Sequence, residues 1–190
     1  SITRCSLRRQ QKVILLGHSW GTVLGTMYAA RHPEKVALYV GVAQIVNMPV
    51  GRRLSYEFTF SEALTRGNSE ARQALQKIGP PPYASVDELL EVERWTQQFG
   101  GVNHAQLSTG TLIWAALSTD EANLLDLVKF GQGNRFSLTH LEPEISQLDL
   151  TQRYRSFAMP VVFLLGRYDR HIPSELGEEY FDMIQAPCKR

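Results

Sequence analysis

The stretch KVILLGHSWGTVLG, Lys12 to Gly25, sets one serine between two glycines, with an apolar run before it and a helix-like pattern after it. Val13 to Gly17 is rich in β-branched residues and leucine and ends at glycine, the pattern of a strand buried on both faces of a parallel sheet. From Trp20 to His32, Val23, Leu24, Met27 and Tyr28 recur at helical spacing until Pro33 stops the helix. Val36 to Val42 supplies a second strand. Strand, helix and strand within about 30 residues make a βαβ unit, with parallel strands and a right-handed crossover. At such a junction Gly17-His18-Ser19-Trp20-Gly21 reads as a turn too tight for side chains beside the serine, which accounts for both glycines. The turn lifts Ser19 clear of the sheet. It also sets Ser19 at the N-terminal end of the helix, where free backbone N–H groups, that of Trp20 first, can hold a developing oxyanion.

A third strand of the same kind, Val161 to Gly166, follows Pro160 and leads through a loop into a helix from about Ser174 to Ile184. Between the second and third strands lies a segment with no comparable strand. Ser85-Val86-Asp87-Glu88 before Leu89, Leu90, Val92 and Trp95 is a helix start, and Ser118-Thr119-Asp120-Glu121 before Leu124, Leu125, Leu127 and Val128 is another. Gly79-Pro80-Pro81-Pro82 and Gly131-Gln132-Gly133-Asn134 are expected to break helices. A helical insertion between strands of an α/β sheet is best placed over the strands' C-terminal ends, where ligands bind in this architecture.

Composition narrows the classes of partner. The chain has 190 residues, 43% hydrophobic and 21% charged, with a net charge of +1, which fits one soluble globular domain with no basic footprint for nucleic acid or an anionic membrane. The expected partner is a small molecule or short peptide, and the sequence leaves the oligomeric state open. Cys5 and Cys188 lie near the two ends without a C-x-x-C pair, so no disulfide framework, metal site or cofactor is expected and a reduced, cytoplasmic setting is. Ser1 to Gln10 lack the apolar core of a signal peptide, although the chain does not begin with methionine.

VILLGHSWGT, the link AARHPEKV and the stretch PVVFLLGRYDRHIP resemble the α/β-hydrolase superfamily, most closely its proline iminopeptidase-like branch. The helical middle, including WTQQFGG and LLDLVKFGQGNRFSL, looks like the cap of that branch, so the resemblance covers nearly the whole chain after residue 11. It implies an α/β fold in which residues 1–46 and 158–190 form a partial parallel-sheet hydrolase core and residues 47–157 a helical cap inserted between its strands. It also implies Ser19 as nucleophile and Asp169, just after the third strand, as the acid. The chemistry agrees: a serine hydroxyl attacks only when a histidine takes its proton, and that histidine needs a carboxylate to fix its tautomer. Serine at the elbow argues against the epoxide hydrolases and dehalogenases of this fold, which place aspartate there.

The histidine is where this reading runs out. The family's base lies on a loop after one more strand, whereas 21 residues follow Asp169 here and His171 is the one histidine among them. His171 reads as a loop residue too close to the acid to face it. His18 is expected to point into the packed interior, His32 to end a helix, and His104 and His140 to lie in the cap. The family's upstream oxyanion loop has no counterpart in the 18 residues before Ser19. The chain therefore resembles the middle of a hydrolase without the early strands and the last strand, and by itself is expected to turn over little.

The leading reading is a serine hydrolase of peptide, amide or ester bonds acting through an acyl-enzyme. The alternatives are a general carboxylesterase and a non-catalytic binding protein on a hydrolase fold. Charge points to a substrate class. Gly51 to Leu150 carry 13 acidic and 8 basic residues, the rest of the chain 6 acidic and 12 basic. An acidic lid favours a substrate with a protonated amine, as the resemblance to proline iminopeptidases also implies. Glu91 and Glu93 beside Trp95, with Glu142 and Glu144, are the candidate carboxylates, against the plainer role of capping and solvating helices.

Overall fold

The computed structural model describes residues 12–104, 109–119 and 123–190. Cys5, the N-terminal stretch and the Asp120-Glu121 part of the second expected helix start lie outside the described residues. β1 (Val13–His18), α1 (Trp20–Arg31) and β2 (Val36–Val42) form the expected βαβ unit, and β3 (Val161–Leu164) pairs parallel with the far side of β2. Residues 188–190 then run parallel to β3, with Val161 N donating to the Cys188 carbonyl at 3.0 Å and Arg190 N to the Val161 carbonyl at 3.1 Å. The sequence places no strand after Val161 to Gly166, and this short pairing of residues 188–190 corrects it to that extent.

Two local expectations differ from what forms. β1 is not buried on both faces: Val13, Ile14 and Leu16 are 52%, 69% and 64% exposed, because among the described residues β1 pairs with β2 alone. Nor does α1 bury all of its larger apolar residues, although Met27 packs partly against the sheet core. Leu24 and Tyr28 face outward, while Thr22, Val23, Gly25, Thr26 and Ala29 face the sheet. Close approach explains the choice of small residues. A Cβ on Gly25 would sit 2.8 Å from the Tyr39 ring, so only glycine lets helix and strand pack this tightly.

Between β2 and β3 the chain is helical: α2 (Met48–Thr65), α3 (Ser69–Ile78), α4 (Val86–Gln98), α5 (Thr109–Leu117) and α6 (Leu124–Ile145). Ser85 caps α4 by accepting from Glu88 N, as its position in the sequence predicts. The Gly79–Pro82 run separates α3 from α4, but Gly131-Gln132-Gly133-Asn134 does not break α6, which runs straight through it. Two interior glycines cost about 1 kcal/mol each. A capping box of Asn123 and Asp126, an Arg135–Asp87 ion pair to α4 and 22 residues of helix outweigh them.

The insertion has its own core, in which Tyr56, Ala63, Ala71, Leu75, Val92, Trp95 and Phe99 are buried together. Its two ends meet at a neck, where Met48 N donates to the Leu148 carbonyl and Leu150 N to the Val46 carbonyl, both at 2.8 Å. Beyond the neck, Leu150, Tyr154 and Phe157 pack into the sheet core with Val36, Tyr39, Val161 and Tyr180 of α7 (Ser174–Met183).

Candidate active site

Ser19 sits between β1 and α1 with φ 50° and ψ −118°, a left-handed conformation that costs a non-glycine residue energy and has to be held by its surroundings. Its N–H donates to the Val42 carbonyl at 3.0 Å, and its carbonyl accepts from Thr22 N at 2.8 Å and Thr22 Oγ1 at 2.5 Å. Thr22 Oγ1 in turn accepts from Ile45 N at 3.0 Å. Behind it the Tyr39 hydroxyl lies 2.8 Å from Gln44 Oε1 and 3.0 Å from the Thr22 carbonyl, and burial pushes this phenol up to about 12. The elbow thus rests on a buried, fully paired network joining α1 to the loop after β2.

The two glycines beside Ser19 have different reasons. A Cβ on Gly17 would meet the Gly21 carbonyl oxygen at 2.4 Å and Thr22 Cα at 2.9 Å, so that position admits glycine alone. At Gly21 a Cβ would meet nothing within 4 Å among the described residues, which corrects the expectation that both positions are crowded.

Asp169 follows β3 on a turn where its N–H donates to the Gly166 carbonyl at 2.9 Å. Its Oδ1 accepts from His171 N at 3.0 Å and Ile172 N at 2.7 Å, so this oxygen shapes the loop and Oδ2 carries no such duty. Asp169 does not cap α7, whose cap position is Pro173. Burial raises its carboxyl above the ordinary range, opposed by the Ile172 and His171 N–H groups and by the nearby His171 and His18 imidazoles. His18 is therefore not a core residue as expected: it is exposed, at the end of β1, and close enough to act on Asp169. The helical insertion steadies the same loop, because the Gly101 carbonyl accepts from Arg170 N at 2.7 Å and His171 N at 3.1 Å.

One cavity is shared by the elbow, the helical insertion and the residues just after Asp169, which does not itself line it. Ser19 and Trp20 line it with Gln44, Ile45 and Met48 below, Arg52, Tyr83, Val92 and Glu93 from the insertion, and His171 with Ile172 from the acid loop. Of the four carboxylates singled out in the sequence, Glu93 alone lines it. Glu91, two residues away and so about 200° around the helix, faces outward to Arg94 Nη2 at 2.7 Å and Trp95 Nε1 at 2.8 Å. Glu142 pairs with Arg52 in the wall, and Glu144 is exposed on α6. Arg52 and Tyr83 escaped the sequence reading, since nothing local marks an arginine on α2 or a tyrosine after prolines as pocket residues. His171 lines the cavity although its closeness to Asp169 had made it a loop residue only.

Glu93 forms no hydrogen bond or ion pair among the described residues. Burial raises its carboxyl, with His171 and Arg52 pulling it down and Glu142 pushing it up. A carboxyl raised by folding contributes stability that is present below its unfolded value and lost as pH rises through its folded value. Ionised Glu93 therefore costs stability at neutral pH. Glu93→Gln, which keeps the shape, is expected to raise Tm at pH 7 and to leave it unchanged below about pH 4, where the native carboxyl is protonated in both states; a lowered Tm at pH 7 in a calorimetric series would refute this.

Three parallel strands, a strand-to-helix elbow that presents Ser19, a loop carrying Asp169 after β3 and a helical insertion between β2 and β3 make an α/β fold with one shared cavity. Residues 7–75 match the family described as alpha/beta hydrolase fold. Over 183 residues the chain is 26% identical to the probable aminopeptidase YbaC of Bacillus subtilis (strain 168), covering 95% of this chain and 57% of that protein. The crystal structure of VinJ superimposes with a TM-score of 0.54 at 14% identity, over 95% of this chain and 57% of that one. The chain thus spans little more than half the length of the proteins it is similar to.

Proposed function

We propose that Ser19 is the nucleophile of a serine hydrolase acting through an acyl-enzyme, and that its substrates carry a free amine, as those of an aminopeptidase of the proline iminopeptidase type do. The observation that carries this reading is that Ser19 and the half-buried Glu93, unpaired among the described residues, line one cavity. Ser19 Oγ attacks the scissile carbonyl while an imidazole takes its proton. The Trp20 N–H, at the head of α1 without an intrahelical acceptor, faces the charge that develops on the carbonyl oxygen. Asp169 offers Oδ2 to orient the imidazole. Among the described residues no histidine hydrogen-bonds Ser19. Glu93 receives the substrate's ammonium group, and the description of YbaC as a probable aminopeptidase supports that assignment.

The test is kcat/KM for a prolyl or alanyl arylamide against the same compound acylated on its amine. An unpaired buried carboxylate costs about 3 kcal/mol, so the free amine should be preferred by roughly a hundredfold, and Glu93→Gln should abolish most of that preference. Equal rates on blocked amides or simple esters would replace the aminopeptidase by a general carboxylesterase.

A further inference from the structure

Arg52 projects from α2 into the wall of the Ser19 cavity, but its guanidinium is taken. Glu142 of α6 grips it with both carboxylate oxygens, Oε1 on Nη1 and Oε2 on Nη2, the latter at 2.8 Å. Both side chains are largely withdrawn from water, at 12% and 22% exposure. The pair stands in a partition. On its inner side lies the cavity with Ser19 and Glu93, and on its outer side a second cavity lined by Pro81, Pro82, Thr139 and Pro143; Arg52 and Tyr83 line both. Arg52 acts on Glu93 through space without bonding to it. The charged or titratable groups that act on Glu93 are His171 from the acid loop, Arg52 from α2 and Glu142 from α6, and Glu93 acts in turn on the Tyr83 hydroxyl.

A guanidinium on a flexible stem beside two half-buried carboxylates can satisfy one of them bidentately at a time. Here Glu142 has it, and Glu93 is left without an ion-pair partner among the described residues, in the wall of the cavity that Ser19 also lines. We propose that Glu142 is a specificity-determining positioning residue: by holding Arg52 in the partition it keeps that cation from neutralising Glu93, and so preserves an anionic subsite for a substrate's ammonium group. This rests on the amine-binding reading of Glu93. Released by Glu142→Gln, Arg52 turns inward to Glu93 and takes the place the substrate amine would fill.

The experiment compares binding of L-prolinamide and N-acetyl-L-prolinamide to the chain by calorimetry, in wild type, Glu93→Gln, Glu142→Gln, Arg52→Met and the double variant Arg52→Met/Glu142→Gln. Glu142→Gln should weaken prolinamide by about tenfold or more, the size of a lost charge-assisted hydrogen bond, and leave the acetylated compound unchanged. Removing Arg52 as well should restore prolinamide to within about threefold, since the cation that would occupy Glu93 is then gone. A loss that the double variant does not restore, or an equal loss for both compounds, would overturn the proposal, because Glu142 would then act by its own charge or by structure alone. The carboxyl carbon of Glu93, followed by NMR against pH in the same variants, decides the case independently of any ligand. Capture of Arg52 predicts that Glu142→Gln lowers the Glu93 midpoint far more with Arg52 present than with methionine there; equal shifts in both backgrounds would overturn it. If wild type and Glu93→Gln bind prolinamide alike, the amine-binding reading fails, and the NMR comparison still reports on Arg52.

Discussion

Replacing Ser19 by alanine is expected to abolish labelling by a fluorophosphonate and to cut turnover by about 10⁶-fold, the scale seen when a hydrolase loses its nucleophile, in the polypeptide made from the natural gene. Stability should hardly change, and the reason is specific to this elbow. Ser19 occupies the N-cap position of α1, where serine ordinarily contributes about 1 kcal/mol through its hydroxyl. Here the side chain makes no capping hydrogen bond. Thr22 reaches the Ser19 carbonyl instead, and the positive φ is held by bonds to backbone atoms that alanine keeps. A serine in a strained turn, doing nothing for the helix it heads, is available for chemistry. Activity that survives in Ser19→Ala would sink the nucleophile assignment. If the 190-residue chain hydrolyses a nitrophenyl ester on its own and loses this with Ser19, the base is within it, and His171 in the cavity wall becomes the candidate.

Asp169 should separate into two roles by substitution. Asparagine keeps an oxygen for the His171 and Ile172 N–H groups, so Asp169→Asn is expected to fold normally, yet turnover should fall by up to about 10⁴, as when a triad loses its orienting charge. Asp169→Ala removes the loop anchor too: the His171 N–H keeps the Gly101 carbonyl, but the Ile172 N–H loses its acceptor, which should cost a further 1 to 3 kcal/mol, roughly, in denaturant unfolding. Near-normal rates in Asp169→Asn would reduce Asp169 to a loop anchor. The Gly101 carbonyl, which accepts from two N–H groups of the same loop, ties its position to the helical insertion.

Much of this was legible because it is local. The strand, turn and helix around Ser19, the second strand, the third strand with the turn at Asp169 and the Ser85 start of α4 all depend on residues within a few positions of one another, where propensity, capping and the demand for glycine at Gly17 act directly. Less could be read where the outcome depends on what lies opposite. The apolar run Val13–Leu16 looks buried, but burial is a property of neighbours, and among the described residues β1 has one strand beside it. Gly131 and Gly133 look like breakers, but a helix of 22 residues with a capping box and an ion pair to α4 absorbs them. His18 looks like part of the core and instead stands exposed near Asp169.

The acidic side chains mark the division most clearly. The excess of carboxylates between Gly51 and Leu150, the serine at the elbow and the aspartate after β3 are determined by the sequence by itself, since composition, turn chemistry and strand order need no partner to be read. Which carboxylate shares a cavity with Ser19 was decided only by the tertiary structure. Helical phase turns Glu91 outward and Glu93 inward, and α2 and α6 bring Arg52 and Glu142, 90 residues apart, into one ion pair. Charge on a helix is written in its residues, but whether that charge is solvated, paired or left open in a cavity depends on what packing sets across from it.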